Sequence, residues 1–284
     1  METPWPVKLF KKSILKQIKY RKMLAALGPT EGKQILEIGS DNGVFSYLFR
    51  QQGGQWKSAD LDQRSIDAIR ELVKTDVYSI EDGGPLPFED DEFDIVIIVD
   101  IIEHLHDDDA FVREIYRVLR PGGDLIVNAP HVKTNSLLAR FRQLIGLTED
   151  SHGHVRPGYT SEGLRRLLGD QFTMLSYDTH TKFFSKFADT MMVIGLSLLK
   201  RNKTEETSGR GILVTGSDIK RYQRMFTIYS LLYPFVWLFS SLDNLLFFRS
   251  GYMLIAEARS NKEVAPQQER QQLSANSVAS LSGT

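Results

Sequence analysis

No cysteine occurs in the 284-residue chain, which excludes disulfides and thiolate metal sites and permits a reducing compartment. Neither sign of charge is in excess: 35 Lys and Arg stand against 36 Asp and Glu, a formal net charge of -1. That balance argues against a protein built around nucleic acid, and no nucleic-acid partner is expected. No uninterrupted apolar run reaches the roughly 20 residues of a membrane span. The N-terminus lacks the apolar core and small-residue cleavage site of a signal peptide, so a cytoplasmic location is expected. What is present, 42% hydrophobic and 25% charged residues, suffices to bury a sizeable core as one large domain or a domain with an insertion.

The informative stretch is Ile35 to Gly43, Ile-Leu-Glu-Ile-Gly-Ser-Asp-Asn-Gly. An apolar strand meets a glycine-bounded turn, and Val44 to Arg50 continues at helical spacing, so the unit is strand, tight turn and helix. Gly39 lets backbone approach a ligand above the strand end, Gly43 permits the turn and close helix packing, and Glu37 supplies an acceptor. The dinucleotide fingerprint is incomplete: one of its three glycines is missing and Asp41 would repel a pyrophosphate, so a dinucleotide is not the expected ligand.

Along the chain, Val7, Phe10, Ile14 and Ile18 recur at helical spacing among lysines over Val7 to Leu27, a basic amphipathic helix suited either to an anionic membrane surface or to packing on the domain. Gln55 to Leu61 reads as a second strand ending in Asp60, placed to accept ribose hydroxyls, with Asp62 capping the helix Gln63 to Lys74. Thr75 to Ile80 is a short strand. Its Asp76 is either an adenine contact or a surface turn acid. Ile95 to Val99 is a continuous apolar run, as a central parallel strand requires, ending at Asp100. Helix Ala110 to Leu119, the break Pro121-Gly122-Gly123 and strand Asp124 to Ala129 complete an alternating pattern that specifies an open doubly wound sheet, with its ligand beyond the carboxyl edge.

Leu-Glu-Ile-Gly-Ser-Asp-Asn-Gly, Ala-Asp-Leu-Asp, Leu-Pro-Phe with Phe93-Asp94, Glu103-His104-Leu105 and Arg117 to Gly123 occur in an order that resembles class I S-adenosylmethionine-dependent methyltransferases of the type 11 small-molecule group. The resemblance covers about residues 30 to 130, and more weakly the segment from His154 to the strand near Phe172. It implies a Rossmann-like sheet of seven strands with the last antiparallel. It further implies S-adenosylmethionine as cofactor, with Glu37, Gly39 and Gly43 at its methionine end, Asp60 at the ribose, Asp76 at the adenine and Asp100 on the floor near the sulfonium. Asp41 departs from the family by replacing a common glycine.

A loop after the fifth strand covers the substrate in this architecture, which makes His131, His152 and His154 candidate general bases, with His131 and His154 carried forward. The paired histidines His104-x-His106 and His152-x-His154 are poor grounds for a metal, and none is expected. Phe172 to His180 reads as strand six and Gly251 to Arg259 as strand seven. Residues 181–250 between them exceed any hairpin and contain two apolar segments, Phe187 to Leu199 and Phe226 to Leu242. Their aromatic and basic flanks suit a peripheral or re-entrant contact with the inner face of a membrane; the alternative is a helical cap or homodimer surface.

The expected organisation is therefore a basic helix over 1–28, a methyltransferase domain over 29–180 and 251–259, an apolar helical insertion over 181–250, and a disordered tail over 260–284. The expected activity is methyl transfer to a small or lipid-linked acceptor, glycan or quinone-like, at the membrane surface. The alternative is a non-catalytic cofactor-binding module that docks on membrane or protein. No residue identifies the acceptor or the atom methylated.

Overall fold

The computed structural model describes residues 3–133, 138, 154–199 and 219–263. His152 and the tail from 264 lie outside the described residues.

The frame is a seven-stranded sheet in the order β3-β2-β1-β4-β5-β7-β6. Its strands are β1 (Gln34–Ile38), β2 (Gln55–Asp60), β3 (Val77–Ser79), β4 (Phe93–Val99), β5 (Leu119–Pro130), β6 (Phe172–His180) and β7 (Met253–Ser260). β1 to β5 run parallel, and β7 lies antiparallel between β5 and β6. Side-chain alternation divides the core into two layers. On one face Ile35, Ile95, Ile97, Val99 and Ile126 pack under α3 (Val44–Arg50) and the N-terminal helices; on the other, Leu36, Ile38, Val96, Ile98 and Val127 meet α5 (Asp108–Val118) and α6 (Ser161–Leu168). α4 (Gln63–Val73) follows β2, capped by Asp62, which accepts the Ser65 N–H at 3.2 Å. Two strand ends are fixed by Asp94, which accepts the Gln34 N–H at 2.8 Å and Arg120 at 2.6 Å.

The N-terminal region differs from the expected single helix. It is two helices, α1 (Trp5–Phe10) and α2 (Ile14–Leu27), separated by a turn in which Ser13 caps α2. Nor is its basic side uniformly turned to solvent. Lys19 pairs with Asp100, Lys22 with Asp178 at 2.5 Å, and Lys12 sits 5.1 Å from the Tyr233 ring. Met23 and Leu27 are buried with Phe45 and Phe49. α2 is thus wedged between the sheet and the insertion, because its apolar residues and its lysines both find partners within the chain.

The insertion supplies α7 (Phe183–Leu199), α8 (Ile219–Ser241) and the 3-10 turn Leu242–Leu246. Asp243 returns to cap α7, its carboxylate accepting the N–H groups of Lys182, Phe184 and Ser185 at 3.0, 2.7 and 3.2 Å. The ends of the insertion are stitched together where the Gly251 N–H donates to Thr179 Oγ1 at 2.8 Å and the Tyr252 N–H to the Thr181 carbonyl at 2.9 Å. Gly251 is required there, since a Cβ would lie 1.9 Å from the His180 carbonyl oxygen. Among the described residues, no helix is long and apolar enough to cross a membrane.

Candidate active site

A cavity of about 450 Å³ opens at the carboxyl edge of β1, β2, β4 and β5, within the range of roughly 300–1,000 Å³ typical of small-molecule sites. Gly39 and Asp60 line it from β1 and β2, Asp100, Glu103 and His104 from beyond β4, and His131, Lys133 and His154 from beyond β5. Lys16 and Lys19 of α2, Lys186 of α7 and Tyr252 close it from segments remote in sequence.

Gly39 stands at φ 98°, and a Cβ there would lie 2.2 Å from the Val99 carbonyl oxygen, so β1 and β4 approach as closely as they do only with glycine. Asp41 takes φ 56°, the left-handed conformation that aspartate tolerates better than most residues, which is how it stands where the family favours glycine. Its carboxylate lies 3.9 Å from Lys16. Asp60 is buried at the end of β2, and its Oδ1 accepts the Asp62 N–H at 3.2 Å.

Asp100, at φ 46°, holds the floor. It accepts the Lys19 ammonium and, at 2.5 Å, the Asn128 amide N–H. With its NH2 given to Asp100, the Asn128 amide oxygen faces His180 Nε2 at 2.8 Å, and Thr181 Oγ1 lies 3.0 Å from His180 Nδ1. His180 is therefore protonated at Nε2 and neutral; burial, together with Lys19 and Lys22, pushes it down to about 3. Burial and the neighbouring Lys16 likewise push Lys19 down to about 7, against the opposing pull of Glu103 and Asp41.

Three of the expected cofactor residues do not line the cavity. Glu37 shares the face of Ile35 and lies fully buried beneath α3, where the Ser46 hydroxyl donates to it at 2.5 Å and burial pushes it up to about 7. Gly43 faces α4: at φ 73° its Cβ would lie 2.7 Å from the Ile69 Cα, so this glycine serves helix packing. Asp76 is also off the cavity lining. Register pairs Asp60 with Ser79, which leaves Asp76 three residues before that level, about 10 Å back toward the amino edge, where its carbonyl accepts the Ser58 N–H at 2.8 Å.

Both candidate bases reach the site. His131 is half-buried, with Nδ1 donating to the Tyr159 carbonyl at 3.1 Å and Tyr177 Oη at 3.1 Å; burial lowers its pKa below the ordinary 6.5. With Nδ1 protonated, Nε2 is the basic nitrogen of a neutral ring. His154 lies beside His104, ring centroids 4.7 Å apart, and both lie close to the buried Glu103. The Glu103 carbonyl accepts the Val155 and Arg156 N–H groups at 3.0 and 3.4 Å, which clamps the His154 segment over β4.

Asp60 and Asp100 offer acceptors that fit ribose hydroxyls and an ammonium or sulfonium, while Lys16, Lys19, Lys133 and Lys186 balance the carboxylates around the same cavity. Residues 36–127 match a family model described as a methyltransferase domain. Over those residues the chain is similar to S-adenosylmethionine-dependent methyltransferases. Methyltransferase GfsG of Streptomyces halstedii is 30% identical to it over 36% of this chain and 39% of its own. The ubiquinone/menaquinone biosynthesis C-methyltransferase UbiE of Pseudoalteromonas translucida is 29% identical over 38% and 46%. The matched methyltransferase region thus spans less than half the length of these curated relatives. The fold extends further: an S-adenosylmethionine-dependent methyltransferase from Mesorhizobium loti superposes on 85% of this chain and 97% of its own with a TM-score of 0.51 at 14% identity.

Proposed function

We propose that the chain transfers the methyl group of S-adenosylmethionine to a small or lipid-linked acceptor, glycan or quinone-like, at the inner face of a membrane. When bound, the cofactor supplies a sulfonium methyl open to in-line attack. Asp60 would accept the ribose hydroxyls, while Gly39 and Asp100 would hold the methionine end, with Lys19 yielding its place on Asp100. His131 Nε2, basic below neutrality and half-buried, is suited to take a proton from an acceptor hydroxyl.

One observation carries the membrane part of this reading. Among the described residues, 13 large apolar side chains are exposed, and all but Val155 and Leu175 belong to the insertion. Leu231, Phe235 and Leu238 recur at helical spacing on α8, with Trp237 beside them and Leu242, Leu245, Phe247 and Phe248 following in and after the 3-10 turn. The opposite side of α8 is covered: Tyr233 bonds Gln17 of α2 at 3.2 Å, and Phe239 packs on Phe184 of α7 at 5.1 Å. A helix apolar on both sides, flanked by Arg249, suits a lipid boundary. Lys186 of the same insertion lines the cavity, so an acceptor held in lipid would enter beside it.

Incubation with radiolabelled S-adenosylmethionine and a membrane lipid extract tests the reading, the expected result being labelled lipid. A folded, S-adenosylhomocysteine-binding protein that labels no lipid, quinone or glycan acceptor would be a binding module. A dimer that ignores every liposome would make the exposed face a subunit interface.

A further inference from the structure

We propose that Glu103, His104 and His154 form a divalent transition-metal site in the wall of the cavity. Glu103 and His104 follow β4 on a 3-10 turn (Ile102–His104), and His154 arrives from beyond β5. One ligand atom from each, two imidazole nitrogens and a carboxylate oxygen, lies within 4.8 Å of the others. Tetrahedral ligands about 2.1 Å from a zinc-sized ion stand about 3.4 Å apart, so the three groups need to close by at most about 1.4 Å, a rotation of side chains without backbone movement.

The framework around these ligands is already fixed. The Glu103 carbonyl holds the backbone of Val155 and Arg156, and Arg156 donates at 2.8 Å to the Leu105 carbonyl and pairs with Asp108. Tyr159 Oη donates to Asp108 at 2.7 Å. These bonds tie the segment that follows His154 to the turn carrying the other two ligands, and Glu103 itself is buried at 1% exposure. Preorganisation of this kind is what ligand sets of mixed sequence origin need.

Two imidazoles and one carboxylate select zinc, iron, cobalt or manganese over magnesium or calcium, which prefer oxygen alone. All three residues line the cavity, so the remaining coordination positions open onto it. The ligand class that fits there is an oxygen donor, a hydroxyl or carbonyl of the acceptor. The cation site stands by itself. Its use as an acceptor anchor rests on the methyl-transfer reading, and it makes His154 a ligand and leaves His131 as the base.

The test is titration of the metal-stripped, tag-free protein with Zn2+ by calorimetry and with Co2+ by visible absorption. One equivalent of each should bind, with Co2+ showing the ligand-field bands of a low-coordinate nitrogen and oxygen site. His104→Ala and His154→Ala should each weaken binding at least tenfold, as should Glu103→Gln. S-adenosylhomocysteine binding, measured alongside, reports folding of each variant and tests the cofactor reading separately. Absence of binding at millimolar metal, or binding unchanged in both folded histidine variants, overturns the site while leaving methyl transfer standing. Metal binding without S-adenosylhomocysteine binding upholds the site and removes the acceptor role.

Discussion

The sheet and the insertion spend their apolar residues in opposite ways. In β4, Phe93 and Ile95 to Val99 are each at most 1% exposed, alternating between two covered layers. In the insertion, Phe235, Leu238 and Phe247 are 70%, 65% and 83% exposed. Burying a side chain of this size stabilises a fold by about 1.5–3 kcal/mol, a gain β4 takes within the chain and the α8 face leaves untaken. The contrast teaches that the hydrophobicity of β4 is explained by the fold, whereas that of the insertion points to something outside it.

The severest way to probe the contrast is at the sheet. Gly39→Val places a branched side chain against the Val99 carbonyl at a positive φ, and loss of both cofactor binding and the cooperative thermal transition is expected. Next in size, Asp60→Ala should leave the fold intact and weaken S-adenosylmethionine by tenfold or more, since a charge-assisted hydrogen bond contributes about 1.5–3 kcal/mol. Unchanged affinity in calorimetry would remove Asp60 from the ribose.

Glu37→Gln gives a smaller, pH-dependent effect. The folded state raises this carboxyl from 4.5 to about 7, so its contribution to stability is fully present below pH 4.5 and is lost as pH rises through 7. The amide mimics the protonated form, so the variant should match the parent near pH 4.5 and exceed it by something of the order of 2 kcal/mol at pH 8. Melting curves at the two pH values decide this. The smallest effect on stability belongs to the insertion: Phe235→Ser with Trp237→Ser and Leu238→Ser should change the melting free energy by less than about 0.5 kcal/mol per site, as solvent-facing positions do. The same variant should lose salt-resistant co-sedimentation with liposomes. A large loss of stability instead would show that these side chains are covered in solution.

The sheet was readable from sequence because burial on both faces leaves an unbroken apolar run such as Ile95 to Val99, and because glycines and acids fall at strand ends. Strand six, read as Phe172 to His180, has those bounds in the structure. The level of Asp76 in the sheet is not legible, because β3 begins only at Val77 and a three-residue strand carries no periodicity. The helix break at Ser13 was hidden by apolar residues that kept helical spacing across it. Lys19, Lys186 and Tyr252 carried no local signal, since their place in the cavity depends on how α2 and the insertion fold back over the sheet. Glu103 and His104 stood out as neighbours in sequence, but only tertiary contact brings His154 to them.

The stitched ends at Thr179 to Thr181 and Gly251 to Tyr252 make the insertion, to the sheet, no more than an overgrown turn between two antiparallel strands. The closure entropy of such a turn grows only with the logarithm of its length, about 0.6 kcal/mol per doubling. Segments of very different size and chemistry can therefore be exchanged at this junction without altering strand order or the floor at Asp100. The junction at His180 and Gly251 is a natural splice point in the sheet.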